Sequence, residues 1–190
     1  MRFAFADPPY IGQARRHYGT AAREVNHRLL IAHLSADYPD GWALSCSSPS
    51  LAAILPLCPP AARVGAWVKP FASWKPSHRI QYAWEPVIFC GGRHPRGARG
   101  IPSVRDFVSA NMTMQRGTHG AKPEEFCFWL FDVLGYQLED SLDDLFPGSG
   151  AVTDALTRYE AMLRQSGGSL WRESGKRPKA GQQKLNLEDG

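Results

Sequence analysis

Four consecutive residues near the start of the chain, Asp7-Pro8-Pro9-Tyr10, bring together the groups that a reluctant nitrogen nucleophile needs. Each proline fixes its own φ, lacks an N–H and pushes the residue before it into an extended conformation, so the carbonyls between them are held in place as acceptors. The Asp7 carboxylate and the Pro8 carbonyl can accept the two hydrogens of an exocyclic NH2, while Tyr10 offers a ring face for stacking, which suits the amino group of a nucleobase. Such an amine is a poor nucleophile because its lone pair is delocalised into the ring. Two fixed acceptors draw its hydrogens out of plane and turn the lone pair towards an electrophile, through positioning and electrostatic preorganisation. The plainer reading is a strand-ending turn in a chain that holds 15 prolines.

Something must hold this tetrapeptide at an edge. The apolar run Phe3-Ala4-Phe5-Ala6 before it predicts a strand, residues 2–6, that presents its carboxyl end to the chemistry, as α/β enzymes do. A polar loop over residues 11–22, carrying Arg15 and Arg16, is placed to close over a substrate. A helical stripe from Val25 to about Asp37 follows, then a strand Trp42–Cys46, a short helix Pro49–Leu57 and a strand Arg63–Val68. This βαβαβ order predicts a parallel sheet with right-handed crossovers. A loop over 69–80 leads to a strand Gln81–Cys90, where Pro86 predicts an edge position or a bulge.

Beyond a Gly/Arg-rich turn region at 91–102, a short strand is expected within Asp106–Met114 and a loop at 115–120. A helix begins at about Pro123, with Glu124 and Glu125 complementing its dipole, and ends at Gly135. A strand Leu138–Phe146 then passes through Pro147-Gly148-Ser149-Gly150 into a helix from Ala151 to about Arg164. A strand, a Gly-rich turn and a helix N-terminus make a place for the polar end of a cofactor, because small residues let the backbone approach closely; a plain tight turn is the alternative.

Charge is unevenly spread. Residues 60–122 hold ten Lys/Arg against two Asp/Glu, whereas residues 123–190 hold seven against twelve. The basic third includes Lys69, Lys75, Arg79, Arg93, Arg96 and Arg99, interleaved with Trp67, Phe71, Trp74, Tyr82 and Trp84. That pattern is the electrostatic and stacking footprint of a nucleic-acid binder, with a solvated basic face as the alternative. The four cysteines, Cys46, Cys58, Cys90 and Cys127, are far apart in apolar settings, which reads as buried free thiols rather than zinc ligands or disulfides, and no metal is expected. With 190 residues, no long apolar run and no leading basic-then-apolar segment, the expectation is one intracellular, soluble domain over residues 1–165 and a polar, disordered tail over 166–190, with no membrane partner.

Three motifs in order carry a family resemblance: Asp7-Pro8-Pro9-Tyr10, then His119-Gly120-Ala121-Lys122-Pro123 opening a helix, then Asp144-Leu145-Phe146-Pro147-Gly148-Ser149-Gly150. Together they resemble the S-adenosylmethionine-dependent DNA amino-methyltransferases in the permuted order usually called β, across about residues 3–164, and the Trp84-Glu85-Pro86 strand is similar to the family's strand before its Lys-Pro segment. The resemblance implies an α/β, Rossmann-like three-layer methyltransferase sheet, mostly parallel with an antiparallel strand. It implies S-adenosyl-L-methionine as cofactor and transfer of its methyl to the N6 amine of adenine in double-stranded DNA. By the same resemblance Asp7, Pro8, Pro9 and Tyr10 would hold a base flipped from the duplex, and Lys122, Pro123, Asp144, Phe146, Gly148, Ser149 and Gly150 would line the cofactor pocket. Arg15, Arg16, Lys69, Lys75, Arg79, Arg93, Arg96 and Arg99 are the expected nucleic-acid contacts.

The chain departs from the family after the last helix, where a strand ending in a ribose-binding acid is expected; Glu173 is the candidate, and the sheet is otherwise truncated at that edge. A second copy, as a homodimer, is one way to complete such a pocket. The reading from another class is a non-catalytic DNA-binding protein on this fold, a regulator or decoy; RNA adenine and DNA cytosine N4 are alternative acceptors. The bias towards Ala, Arg, Gly and Pro suggests a GC-rich genome, and the small form suits a phage, hence a location in the host cytoplasm.

Overall fold

Strand β1 (Arg2–Ala6) is buried on both faces, which is what a central strand of a mostly parallel sheet requires. The computed structural model of the chain describes residues 1–13, 24–71, 76–94, 103–112 and 121–166. Around β1 stand β2 (Gly41–Ser45), β3 (Arg63–Val68), β4 (Trp84–Gly91), β5 (Phe107–Ser109) and β6 (Ser141–Asp144), in the order β5-β3-β4-β2-β1-β6. β1 pairs in parallel with β2 and β6, and β3 with β5, whereas β4 is antiparallel to both β2 and β3. The carboxyl ends of β1, β2, β3 and β6 therefore share one rim with the amino end of β4.

Alternation along the strands divides the core into two layers. Phe3, Phe5, Ala43, Trp67, Val87 and Phe89 face α3 (Glu124–Leu134) and α4 (Ala151–Gln165), whose Phe126, Leu130, Val152 and Tyr159 close that layer. Ala4, Ala6, Trp42, Leu44 and Ile88 face the other way, onto Ile31 and Leu34 of α1 (His27–Asp37) and Ile54 of the single-turn α2 (Leu51–Ile54). Asn26 caps α1 by accepting from the Leu29 N–H at 3.1 Å. The expected α/β three-layer sheet, mostly parallel with an antiparallel strand, is the observed architecture.

Two expectations about the middle of the sheet are corrected. β2 and β3 run in the same direction but are not neighbours, because β4 is inserted between them, so the βαβαβ stretch does not build three adjacent parallel strands. Pro86 does not mark an edge or a bulge: β4 is interior, and Pro86 lies opposite Ala66 of β3. The Ala66 N–H points away from β4, to Asp106 O at 2.9 Å, so no β3 acceptor waits for the N–H that Pro86 lacks. On its other side the β2 ladder has ended at Ser45 opposite Val87, and the Pro86 carbonyl still accepts from Cys46 N at 3.1 Å.

Other elements are shorter than the sequence pattern suggests. The stretch 48–57 is α2 flanked by two 3-10 turns, each with a proline in its first positions, and β5 and β6 span three and four residues. At the rim opposite the carboxyl ends, Gly41 and Gly91 lie paired with φ of +154° and +75°; a Cβ on Gly41 would meet Gly92 N at 2.5 Å, so only glycine fits this crossing of β2 and β4. No helix among the described residues is long and apolar enough to cross a membrane.

Candidate active site

The two-residue period that builds the inner layer also delivers its polar rim. Phe3 and Phe5 are followed on the same face by Asp7, Ala43 by Ser45, and Trp67 by Lys69, while Glu85 precedes Val87 and Phe89 on β4. Lys122 arrives from the segment that leads through Pro123 into α3. Five polar side chains from five segments thus meet where the carboxyl ends of β1, β2 and β3 reach the amino end of β4.

Asp7, Lys69, Glu85 and Lys122, joined by Tyr10, form one buried network. The Lys122 ammonium lies 3.0 Å from Asp7 Oδ1 and 3.2 Å from Glu85 Oε2. Glu85 also binds Lys69 through Oε1 and accepts from the Tyr10 hydroxyl at 2.7 Å through Oε2. Side-chain exposures of 6% for Lys122, 9% for Lys69 and 17% for Glu85 mean that these charges depend on one another rather than on water. The indole of Trp67 supports both ammonium groups, with Lys69 Nζ at 4.4 Å and Lys122 Nζ at 5.1 Å from a ring centroid.

Burial and charge pull the titrating groups in opposite directions. Burial would raise the Glu85 carboxyl, but Lys122, Lys69 and the Tyr10 hydroxyl outweigh it and hold it at about 2. Burial presses Lys122 down, yet Asp7, Tyr10 and Glu85 keep it well above its ordinary value and hence charged. Burial, with Glu85 adding to it, raises Asp7 against the pull of Lys122 and Lys69, and burial drives the Tyr10 phenol well above its usual range.

A cleft opens beside this network. Its walls include Phe5, Asp7, Lys122, Asp144, Phe146 and the turn from Pro147 through Ser149 to Ala151 and Val152. It lies between neighbouring parallel strands whose chains leave to opposite layers, β1 towards α1 and β6 towards α4, the switch point at which such sheets place their ligands. One oxygen of Asp144 accepts from Phe146 N at 3.2 Å; the other, Oδ2, is buried without a partner, and burial raises the carboxyl. An unpartnered buried carboxylate oxygen in a cleft asks for a cationic or N–H donor from a ligand. Gly150 caps α4 at φ +78° with no side-chain cap, and a Cβ there would meet nothing within 4 Å, so the turn leaves open space beside the first N–H groups of the helix. Among the described residues no group of three or more His, Cys, Asp and Glu side chains could hold a metal ion.

The structure brings together Asp7 and Lys122 on one side and Asp144, Phe146, Gly148 and Ser149 on the other, around a single cleft, with Tyr10 tied to the adjoining network through Glu85. Of the expected nucleic-acid contacts, Lys69, Arg79 and Arg93 are among the described residues. Lys69 is buried against Glu85 rather than exposed on a basic face. Arg93 lies at the opposite rim, where it binds Asp140 at 2.7 Å and donates to Gly135 O at 3.0 Å. Arg79 is exposed. Arg15, Arg16, Lys75, Arg96, Arg99, His119, Gly120 and Glu173, with residues 167–190 of the expected tail, lie outside the described residues. Sequence reading assigned no role to Glu85 or Ser45, whose buried Oγ has no partner; the signal for Glu85 was its place in step with Val87 and Phe89, which turns a carboxylate into the inner layer.

Fold and rim together define a class: a Rossmann-like three-layer α/β protein with a cleft at its strand switch point and a buried acidic-basic network beside it. Among solved structures, the chain is similar to the crystal structure of the M1.HpyAVI-SAM complex, with 14% identity, 84% of this chain and 78% of that chain covered and a TM-score of 0.57. It is also similar to the crystal structure of M1.HpyAVI, with 14% identity, 83% and 76% coverage and a TM-score of 0.54. At this identity the likeness is one of fold. No protein-family model and no curated protein matches the sequence.

Proposed function

We propose that the chain is an S-adenosylmethionine-dependent methyltransferase that acts on the N6 amine of adenine in DNA. The observation that carries this reading is the shared cleft: Asp7, the acceptor for an amine, and Asp144, a buried carboxylate oxygen in need of a donor, line the same space over Phe5. Asp144 Oδ2 fits the ammonium group of the cofactor's methionine end, and Phe146 with the Gly148–Gly150 turn fits close approach along the rest of it. M1.HpyAVI, which shares the fold, was crystallised with SAM, and this supports the same cofactor here.

When bound, the cofactor, held by Asp144, Phe146 and the Gly148–Gly150 turn, would supply an electrophilic methyl carried on a sulfonium. The chain's own part is positional. Asp7 and the Pro8 carbonyl accept the two amine hydrogens and aim the lone pair, and Tyr10, its hydroxyl tied to Glu85, presents its ring to the base. The proton that the nitrogen must shed passes to the Asp7 carboxylate, which burial makes a better base. The excess of Lys/Arg over residues 60–122 supports a polyanionic substrate.

The test is transfer of a labelled methyl from S-adenosylmethionine to unmethylated DNA, with nucleoside analysis of the product. Label in N6-methyladenine is the expected result. Label in N4-methylcytosine or only in RNA would replace the acceptor, and salt-sensitive DNA binding without any label would replace the enzyme by a binder.

A further inference from the structure

Asp7 Oδ1 is already engaged. Lys122 Nζ, at 3.0 Å, stands at the distance a donated amine hydrogen would need, so the residue that compensates the buried carboxylate also competes with the substrate for it. A second anion removes the conflict. Glu85 Oε2 lies 3.2 Å from the same ammonium, and Glu85 is pinned from two other elements, by Lys69 at the end of β3 and by the Tyr10 hydroxyl after β1. Lys122 therefore bridges two carboxylates, one of them fixed.

We propose that Lys122 is a displaceable stand-in for the substrate amine, and that Glu85 is the positioning residue that receives its ammonium when the amine takes Asp7. The proposal rests on the methyltransferase reading. Two ammonium groups face two carboxylates, so a neutral amine can enter without any ion leaving the site. Trp67, within 5.1 Å of Lys122 Nζ and 4.4 Å of Lys69 Nζ, lines the ground over which the ammonium shifts. Lys69 keeps Glu85 from following Lys122 back towards Asp7.

The experiment uses the full chain and reads kcat for methyl transfer to DNA against pH at saturating cofactor, for wild type, Glu85→Gln, Glu85→Asp and Lys122→Met. The groups facing Asp7 are Lys122, Glu85, Lys69, Tyr10, the Cys127 thiol of α3 and, across the cleft, Asp144. In Glu85→Gln, Lys122 has only Asp7 as a strong partner, and kcat falls about 10- to 100-fold, the range spanned by one charge-assisted hydrogen bond, while cofactor and DNA affinities stay within about twofold. The acid limb of the profile, set by ionisation of Asp7, moves to lower pH in Glu85→Gln, which loses a negative neighbour, and to higher pH in Lys122→Met, which loses a positive one. Glu85→Asp recovers the wild-type limb. A purely structural role for Glu85 lowers the melting temperature without moving the limb, and that result, or limbs that move together, overturns the proposal while the methyltransferase reading stands. A wild-type chain that transfers no methyl overturns both.

Discussion

Replacing Asp7 by alanine separates what the carboxylate does for the fold from what it does for the reaction. Asp7→Ala leaves Lys122 with Glu85 Oε2 at 3.2 Å, so the buried ammonium keeps one anion and is not orphaned. The expected loss of stability is therefore about 1–3 kcal/mol, the value of a hydrogen bond to a charged group, and not the 3–5 kcal/mol of a fully abandoned buried charge. For a chain of 190 residues that lowers the melting temperature by roughly 2–4 °C per kcal/mol. The reaction loses more. One of two fixed acceptors disappears at the point where charge develops, and by analogy with removal of one oxyanion-hole donor kcat falls about 10²- to 10³-fold. The assay is labelled methyl transfer at saturating S-adenosylmethionine, with calorimetric cofactor binding and thermal unfolding on the same preparations. A folded variant that binds cofactor normally and retains kcat within about threefold of wild type refutes the role given to Asp7.

Three further outcomes follow from the same geometry. Asp144→Asn, which exchanges the unpartnered carboxylate for a neutral amide, weakens cofactor binding about tenfold or more in titration calorimetry while leaving the melting temperature unchanged or higher, since a buried charge without a partner is relieved; unchanged affinity removes Asp144 from the cofactor site. The depressed Glu85 carboxyl is a stability contribution present above its unfolded value of 4.5 and lost as pH falls towards about 2, so acid unfolding between pH 5 and 2 steepens by at most about 3 kcal/mol, and Glu85→Gln flattens that part of the curve. Arg93→Ala lowers the melting temperature without changing DNA affinity, because Arg93 serves Asp140 and Gly135 at the rim opposite the cleft, and a filter-binding loss equal to that of Arg79→Ala would contradict this placement.

The parts of the site that were legible in the sequence are those written locally. Phe3 to Tyr10 is a strand and its stop in eight residues, and Asp144 to Ala151 is a strand end, a glycine turn and a helix start; in both, the punctuation and the chemistry are adjacent in the chain. What could not be read is which strands lie side by side. β4 enters between β2 and β3 through pairings that join residues such as Arg63 and Phe89, and nothing local in either segment announces the partner. Pro86 misled for a related reason: its missing N–H matters only at a position where a neighbouring strand offers an acceptor, and that depends on register. Lys69 and Arg93 were grouped by charge and nearness in sequence, but alternation after Trp67 turns Lys69 into the inner layer, and the antiparallel course of β4 carries Arg93 to the far rim.

The insertion of β4 is also what makes the buried acidic-basic network possible. A parallel strand in that place would bring its carboxyl end to the rim and would connect to it through a loop. An antiparallel strand brings its amino end, so Glu85 stands near the start of β4 with Val87 and Phe89 buried behind it, where rigid strand geometry rather than a loop fixes the carboxylate. Lys69 leaves β3 two residues after Trp67, which pairs with Glu85, so one register sets the distance between that anion and its first cation. Asp7 enjoys the same support from β1. Lys122, in the segment before α3, comes to the network from outside the sheet, and its ammonium pairs with both carboxylates. A rigid pair of anions spanned by a cation on the less regular segment is how a fold can keep a desolvated carboxylate balanced at rest and still surrender it to a neutral amine.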